Sequence, residues 1–354
     1  MQSDFLIIGA GAIGLTSAIA LLQAGYKVTL VERGQVGQEA SWAGGGILSP
    51  LCSWDYQESV TQLAHRGMAM FAGAAESLQQ TTGIDPEYQR GGMLVLPPFP
   101  EEQAKRWCAQ HQFTMQSVNA SDYLPVENQT GLLLPEVAQV RNPRLLHALS
   151  KQVEQLGGAI LEQHEVQGFD KQSERITSLK TNRDKLFAND YIVTAGAWSR
   201  ELLGEYALRI GIRPIRGQIL LFKFDVPPIQ QIVIKKDLYV IPRRDGHVLV
   251  GSTLEDVGFD KSTTIEARAN LLQRVREIFP KWKNVEPIRQ WSGFRPGSPD
   301  NIPTIGRHPA IENLYINSGH FRYGVTMSYA SAEVLLNEIS GRAQPFSVEE
   351  YRWK

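Results

Sequence analysis

The 354-residue sequence has little of several features that define whole classes of protein. It contains only two cysteines, Cys52 and Cys108, too few for a disulfide framework and without a metal-ligand spacing. Its 36 Lys and Arg residues are balanced by 37 Asp and Glu residues, so it lacks the basic excess that binds nucleic acid or membrane surfaces. We therefore expect a soluble, cytoplasmic protein with no metal and with neither nucleic acid nor membrane as a partner.

Common catalytic signatures are also absent, since the sequence has no H-E-x-x-H, G-x-S-x-G or P-loop motif. One apolar run, Phe5 to Leu22, could be mistaken for a signal peptide or a membrane span. It lacks a basic segment in front, however, and its glycines are spaced as in a phosphate-binding turn. We interpret it as the core of a folded domain.

That run contains Gly9, Gly11 and Gly14 in G-x-G-x-x-G spacing. The pattern predicts a strand at Phe5 to Ile8, a helix at Ile13 to Gln23 and a second strand at Lys27 to Val31, ending at Glu32. The first two glycines allow a tight turn near a pyrophosphate, the third lets the helix pack closely, and the acid can accept hydrogen bonds from a ribose. The unit predicts dinucleotide binding; the alternative is a glycine-rich turn in an unrelated α/β protein.

Further glycine-rich turns follow at Gly44 to Gly46, at Ala195-Gly196 and at Gly319 to Gly324, with several successive strands between residues 217 and 252. Successive strands without helices between them indicate an antiparallel sheet. We expect an α/β Rossmann-like domain with a parallel sheet, plus an α+β substrate domain with a mainly antiparallel sheet. The expected limits are 1–85, 140–212 and 292–354 for the first domain, and 86–139 and 213–291 for the second.

Two local predictions are less strongly patterned. Polar helical spacing predicts a helix from Glu101 to Gln116, and an apolar run predicts one strand from Ala159 to Val166.

The order of motifs along the chain resembles the D-amino-acid-oxidase-like (DAO) family of FAD-dependent oxidoreductases. The resemblance rests on the N-terminal glycine turn with Glu32 and on the segments ASWAGGGIL, VTAGAWS, RPIRGQ, GFRPGSPDNIPTIG and GHFRYG. Within the family the chain is similar to the glycine oxidases, which supply the glycine imine for the thiazole ring of thiamine, mainly through SWAGGGILSPL and YVIPRRDGHVLVGST.

The resemblance implies one extended FAD, bound without a covalent link because neither cysteine lies in the C-terminal third. A helix starting near Gly324 would present free N–H groups that stabilise negative charge on reduced flavin. The residues that the resemblance places at the cofactor are Gly9, Ala10, Gly11, Ala12, Ile13, Gly14, Glu32, Arg33, Ala40, Ser41, Gly45, Gly46, Val166, Ala195, Gly196, Trp198, Gly319, His320, Arg322, Gly324, Val325 and Thr326.

An amino-acid substrate must be held by its carboxylate, and the planar fork of arginine suits that task. Arg295 and Tyr239 match the positions that bind the substrate carboxylate in glycine oxidases, and Arg322 is a third candidate; we expect these three to form the catalytic site. The resemblance also places Ile47 and Leu254 where they would limit the size of the substrate side chain.

The expected reaction is oxidative deamination of glycine, and of small amines such as sarcosine or D-alanine, by hydride transfer to flavin N5. Its products are the imine or 2-oxo acid, ammonia and hydrogen peroxide. Molecular oxygen is the expected acceptor, thiazole synthase a recipient of the imine, and a homo-oligomer the expected assembly. Three residues, Tyr323, Thr326 and Met327, depart from the glycine-oxidase pattern and leave the substrate range and the acceptor open.

Three alternatives remain at this point. The first is a D-amino-acid dehydrogenase or oxidase of broader specificity that reduces a quinone or another acceptor. The second is a nicotinamide-dependent dehydrogenase that uses only the N-terminal unit, although the sequence has no second G-x-G-x-x-G for a separate nicotinamide cofactor. The third is a nucleotide-binding module without catalysis.

Overall fold

The computed structural model of the chain describes residues 3–354, and two β-sheets organise it. The strands are β1 Ser3–Ile8, β2 Val28–Val31, β3 Ile47–Leu48, β4 Met93–Leu96, β5 Gln116–Asn119, β6 Thr130–Leu134, β7 Ala138–Gln139, β8 Ala159–Leu161, β9 Val166–Gln172, β10 Arg175–Thr181, β11 Lys185–Leu186, β12 Ala188–Val193, β13 Arg213–Lys223, β14 Ile232–Lys235, β15 Leu238–Pro242, β16 His247–Gly251, β17 Arg289–Gly297, β18 Thr304–Arg307 and β19 Leu314–Ser318. The α-helices are α1 Ala12–Gln23, α2 Ala40–Ala43, α3 Glu58–Thr82, α4 Glu101–Gln110, α5 Asn142–Gln155, α6 Ser199–Leu203, α7 Ile265–Ile278 and α8 Gly324–Ser340.

The first sheet, called here the parallel sheet, has the strand order β18-β19-β12-β1-β2-β8. Its strands run parallel except for β18, which pairs antiparallel with β19. Helix α1 leads from β1 to β2 and packs its apolar side chains together with α3, α5 and α8. The strand, turn, helix and strand predicted for the N-terminal segment are thus confirmed. The strands pair in parallel, as short apolar strands that helices bury usually do.

The second sheet, called here the mixed sheet, has the order β17-β13-β16-β15-β14-β4-β6-β5. Its neighbours are antiparallel except for β14 and β4. Helix α7 covers one face with a core that includes Leu271, Val275 and Phe222. The predicted fold class, a Rossmann-like parallel sheet plus a mainly antiparallel one, is confirmed.

Two local predictions were wrong at their ends. The helix expected from Glu101 to Gln116 ends at Gln110, since Gln112 has a φ of +53° and Phe113 turns back into the core. The strand expected from Ala159 to Val166 is two strands, because the chain leaves β8 through a turn at Gln163, with φ of +57°, and enters a separate three-stranded meander at β9.

The predicted domain limits follow the two sheets at most points, and they stay a prediction. The limit placed between residues 291 and 292 falls inside β17, which pairs with β13 from Leu221 to Arg213. Strand β17 therefore belongs to the mixed sheet along its whole length. Within residues 3–354, no helix combines the length and hydropathy that crossing a bilayer requires.

Candidate active site

A large cavity lies where the carboxyl ends of the parallel strands meet the mixed sheet. The parallel sheet contributes residues that follow β1, β2, β12 and β19, and the mixed sheet contributes residues of β13, β15 and β17. Ligands of open α/β sheets bind outside the carboxyl ends of the strands. The cavity is therefore the natural site for the predicted dinucleotide.

The glycine turn after β1 is held by backbone packing. A side chain at Gly14 would place its Cβ 1.9 Å from the carbonyl oxygen of Gly9, which itself has a φ of +109°. The Glu32 carboxylate accepts a hydrogen bond from the Ala10 amide at 2.9 Å, and the Ala12 amide donates to Ser41 Oγ at 2.9 Å. Glu32 thus lines the cavity while it supports the turn.

Arg33 and Trp198 form the rim of the cavity near Glu32. The Arg33 guanidinium lies 3.7 Å from the centre of the Trp198 ring, and Phe259 stacks on that ring with its centre 5.0 Å away. Val166, at the start of β9, lines the same region. The rings make this wall of the dinucleotide end apolar, and the Arg33 guanidinium adds one positive charge to it.

The segment Gly44 to Ile47, called here the glycine loop, lines the middle of the cavity. A Cβ at Gly45 would lie 2.5 Å from Ile241 and 3.4 Å from the ring of Tyr239. Gly46 has a φ of +70°, and a Cβ there would lie 2.1 Å from the Val140 carbonyl oxygen. Side chains at either position would clash, so the loop brings bare backbone to the cavity wall.

The last turn begins helix α8 at Gly324, and no side chain caps the helix start. His320 Nε2 lies 2.8 Å from Ser331 Oγ, and burial lowers the pKa of His320 to about 3. The ring is therefore neutral at physiological pH. Thr326, one of the residues that depart from the family pattern, donates a hydrogen bond to the Ile47 carbonyl at 3.0 Å and fixes the glycine loop against α8.

Arg295 lies on β17, in the part of the cavity that the mixed sheet forms and that is called here the substrate end, whereas Glu32 follows β2 of the parallel sheet at the dinucleotide end. Its guanidinium covers the backbone of Gly217 on the neighbouring strand, where a Cβ would come within 2.1 Å of Nη1. Nη1 donates to the Thr253 carbonyl at 3.2 Å, and Nη2 donates to Ser252 Oγ. Burial lowers the pKa of Arg295, but a guanidinium still stays charged at neutral pH.

Tyr239 on β15 faces the same cavity beside Arg295. Its ring lies over Gly251 of β16, where a Cβ would come within 2.7 Å of the hydroxyl oxygen. Ile47 and Leu254 line the cavity as well, and Leu254, at 52% exposure, stands at its mouth. A glycine opposite each polar side chain thus makes room for Arg295 and Tyr239 to lie flat on the sheet.

The cavity gathers nearly all of the residues predicted from the sequence. The five predicted substrate-site residues, Ile47, Tyr239, Leu254, Arg295 and Arg322, line it, as do most predicted cofactor residues. Three predicted cofactor residues do not line the cavity. The amides of Ala10 and Ala12 donate to the side chains of Glu32 and Ser41, and Gly14 packs against Gly9. The contacts of individual residues with a cofactor or a substrate stay predictions.

Several residues at the site were not predicted. Ser252 and Thr253 hold the Arg295 guanidinium, although only their position in the motif VGST pointed to them. Tyr323, a second departure from the family pattern, forms a hydroxyl–hydroxyl hydrogen bond with Tyr56, and their rings meet edge to face at 5.1 Å. Burial raises the pKa of both tyrosines. Nothing in the sequence linked residues 56 and 323, because that pair forms only in the fold.

The residues present fit an extended dinucleotide. The dinucleotide end has a backbone turn that excludes side chains, an uncapped helix start lines the same cavity, and the amides of Gly45 and Gly46 donate to no protein acceptor within residues 3–354. Such amides are ready to bind an electron-rich group. Among those same residues, no cluster of side chains suits a metal ion.

Comparison with known proteins agrees with this geometry. A family model described as FAD dependent oxidoreductase (DAO) matches residues 4–337. Glycine oxidase of Pseudomonas aeruginosa is 39% identical over 349 residues, covering 97% of this chain and 96% of its own. The bifunctional protein ThiO/ThiG of Trichormus variabilis is 29% identical over 96% of this chain and 53% of its own length. The crystal structure of glycine oxidase from Geobacillus kaustophilus superposes with a TM-score of 0.94 at 25% identity, over 100% of this chain and 98% of that one.

Proposed function

The chain belongs to the family of FAD-dependent oxidoreductases, and from this premise we propose that it oxidises glycine and other small amines such as sarcosine or D-alanine. The observation that carries the proposal is the Arg295 guanidinium, fixed at one end of a cavity whose other end is built for a dinucleotide. A substrate carboxylate on that guanidinium would direct the rest of a small amino acid along the cavity.

When bound, FAD supplies the two-electron acceptor for oxidation at the substrate α-carbon. The chain's own residues bind and orient the substrate. Arg295 presents a planar donor fork because Ser252 and Thr253 hold it flat over Gly217. Tyr239 adds a hydroxyl beside it, and Arg322 lines the same cavity. Positioning of this kind is the main contribution that a protein makes to cofactor chemistry.

The size of the accepted side chain would be set by Ile47 and Leu254. Ile47 is fixed through the Thr326 bond to its carbonyl, whereas Leu254 is half exposed. The backbone of the Ile47 wall is thus held in place, whereas the Leu254 side chain is open to solvent on one side. Because an apolar pocket discriminates by only about 1–3 kcal/mol per methylene, we expect glycine and sarcosine to be accepted and D-alanine to be oxidised more slowly.

In the proposed reaction the substrate becomes an imine, and oxygen takes up the two electrons and two protons to give hydrogen peroxide. Water then converts the imine to the 2-oxo acid and ammonia, or to the 2-oxo acid and methylamine when sarcosine is the substrate. We further propose that the imine can pass to a thiazole synthase, because the bifunctional relative ThiO/ThiG joins a homologous chain to a second protein.

A peroxide-linked assay tests the proposal with the purified, yellow holoprotein. Glycine, sarcosine and D-alanine are compared under air, and again without oxygen in the presence of an artificial electron acceptor. Peroxide release from glycine under air is expected. Turnover only with the artificial acceptor, and faster with D-alanine, would favour a D-amino-acid dehydrogenase instead. A protein that binds FAD but turns over none of these amines would contradict the proposal.

A further inference from the structure

Every carbonyl group of the glycine loop accepts a hydrogen bond from another part of the protein. Residues 44–47 line the cavity, and each of their carbonyl oxygens is bound by a donor of the protein itself. The bonds are Asn142 Nδ2 to Gly44 O at 3.0 Å, Arg243 Nη2 to Gly45 O at 2.7 Å, Val140 N to Gly46 O at 2.9 Å and Thr326 Oγ1 to Ile47 O at 3.0 Å.

The orientation of these carbonyls fixes the orientation of the amides. The peptide bonds of the loop are trans, so each C=O and the following N–H point in opposite directions. The amide of Gly46 therefore points away from Arg243, which is not among the residues that line the cavity, and toward the cavity; the amide of Gly45 points away from Asn142. Within residues 3–354 these two amides have no protein acceptor.

Of the four donors that bind these carbonyls, Arg243 alone is charged. It is only 6% exposed, and its guanidinium bonds only neutral oxygens: Gln139 Oε1 at 2.7 Å, Val140 O at 2.8 Å and Gly45 O. It forms no salt bridge with any carboxylate of the described chain. The nearest acids, Glu87 and Asp245, are instead bonded to Arg141. Burial lowers the pKa of Arg243 to about 10, so it is still a cation at neutral pH.

A buried cation without a carboxylate is unusual and needs a compensating gain. A charged donor on a carbonyl polarises the peptide group, which makes the attached N–H a stronger donor, and buried charges are poorly screened. We propose that Arg243 is a positioning residue: through the Gly45 carbonyl it orients and polarises the Gly45–Gly46 amide, so that this amide donates to the flavin ring of bound FAD and favours the gain of electrons by that ring. The inference rests on the cofactor of the family and not on the identity of the substrate.

The test uses sulfite, an anion that adds its electron pair reversibly to oxidised flavin and bleaches its visible absorbance. Sulfite affinity reports positive charge near the ring without any amine substrate, so it is independent of the proposed function. In holoprotein carrying Arg243→Gln we expect the sulfite dissociation constant to rise about tenfold, which corresponds to ~1.4 kcal/mol of adduct stability. Arg243→Lys, which keeps the charge but loses the fork, should raise it by a smaller factor.

Arg244→Gln is the matched control, because the neighbouring Arg244 is exposed and bonds Asp85 and the Tyr88 carbonyl; its sulfite affinity should equal that of the wild type. Equal affinities in Arg243→Gln and Arg244→Gln would overturn the inference. Equal rises of the sulfite dissociation constant in Arg243→Gln and Arg243→Lys would overturn the part of the inference that rests on the charge of Arg243.

A measurement on the wild type covers the case in which Arg243→Gln does not retain FAD. Hydrogen exchange of peptides spanning residues 44–48 is compared between the holoprotein and the protein stripped of flavin. Slower exchange at Gly45 and Gly46 with FAD bound is the expected result. Unchanged exchange would show that these amides do not donate to the cofactor and would overturn the inference.

Discussion

The two ends of the cavity are built in different ways. At the end near Glu32, the part that excludes side chains is backbone: a tight turn between Gly9 and Gly14 with one carboxylate bonded to it, beside a rim formed by Arg33 and Trp198. At the end near Arg295, the wall is formed by side chains that lie on strands of the mixed sheet, and Arg295 is held by Ser252 and Thr253, which directly follow β16. The turn and its acid at the first end come from one continuous stretch, Gly9 to Glu32, whereas the second end is built from segments far apart in the chain.

This difference determines how each end of the cavity responds to a substitution. A backbone turn has no substitute for its glycines, so one added Cβ should remove the whole binding site. A side-chain site has several partners for each group, and losing one partner should weaken binding while the fold persists. Substitutions at the two ends therefore separate cofactor retention from substrate affinity.

The largest effect is expected for Gly14→Val, because its Cβ would lie 1.9 Å from the Gly9 carbonyl oxygen and 2.7 Å from Thr194 Oγ1. We expect loss of bound FAD and destabilisation by about 3 kcal/mol, measured as the flavin-to-protein ratio and by thermal unfolding. Gly73→Ala in helix α3 is the control, since its Cβ meets nothing within 4 Å; FAD should stay bound and stability should rise slightly. Full flavin content in Gly14→Val would refute a backbone-built cofactor end.

The next largest effect, on substrate affinity, is expected at the end of the cavity near Arg295. Arg295→Ala removes the proposed carboxylate partner, so KM for glycine should rise by about 10²–10³-fold, a loss of ~3–4 kcal/mol, while FAD stays bound. Steady-state kinetics and the flavin spectrum measure the two properties separately. Arg289→Ala, an exposed arginine at the start of the same strand, should leave both unchanged. An unaltered KM in Arg295→Ala would exclude this residue from the site.

The same contrast explains how much the sequence could predict. The turn from Gly9 to Glu32 could be predicted because its geometry depends on neighbouring residues. Arg295 could be selected only through a family resemblance, because nothing local distinguishes it from other arginines. Ser252 and Arg243 went unassigned: their roles depend on strand register and on which carbonyls face them, and pairings between distant strands are not encoded in local patterns.

A smaller, pH-dependent effect is expected behind the substrate end, where Arg216 is buried on β13 and bonds Glu255 and Asp260. Burial raises the pKa of Glu255, but hydrogen bonds from Thr253, Arg216 and Gln218 outweigh it, so the net pKa is lowered. A lowered carboxyl pKa stabilises the fold above the unfolded pKa of about 4.3 and loses that effect as the pH falls through the folded value.

Glu255→Gln should therefore lower the free energy of unfolding at pH 7 by about 1–3 kcal/mol. The difference from the wild type should shrink as the pH falls below about 4. Urea unfolding at several pH values measures this. Glu266→Gln, an exposed acid in the first turn of α7, is the comparison. A difference that stays constant down to low pH would show that the Glu255 charge contributes nothing to stability.

The smallest effect is expected where the two ends are joined at the surface. Lys261, on the segment after β16, pairs with Glu39 after β2 at 2.8 Å, and the two side chains are 51% and 34% exposed. Exposed pairs contribute about 0–1 kcal/mol and are screened by salt. Lys261→Ala should therefore change the melting temperature slightly in dilute buffer and not at all near 1 M salt, with Lys281→Ala as the control. A larger loss of melting temperature that salt does not reduce would mean that the two ends of the cavity depend on this ion pair for their stability.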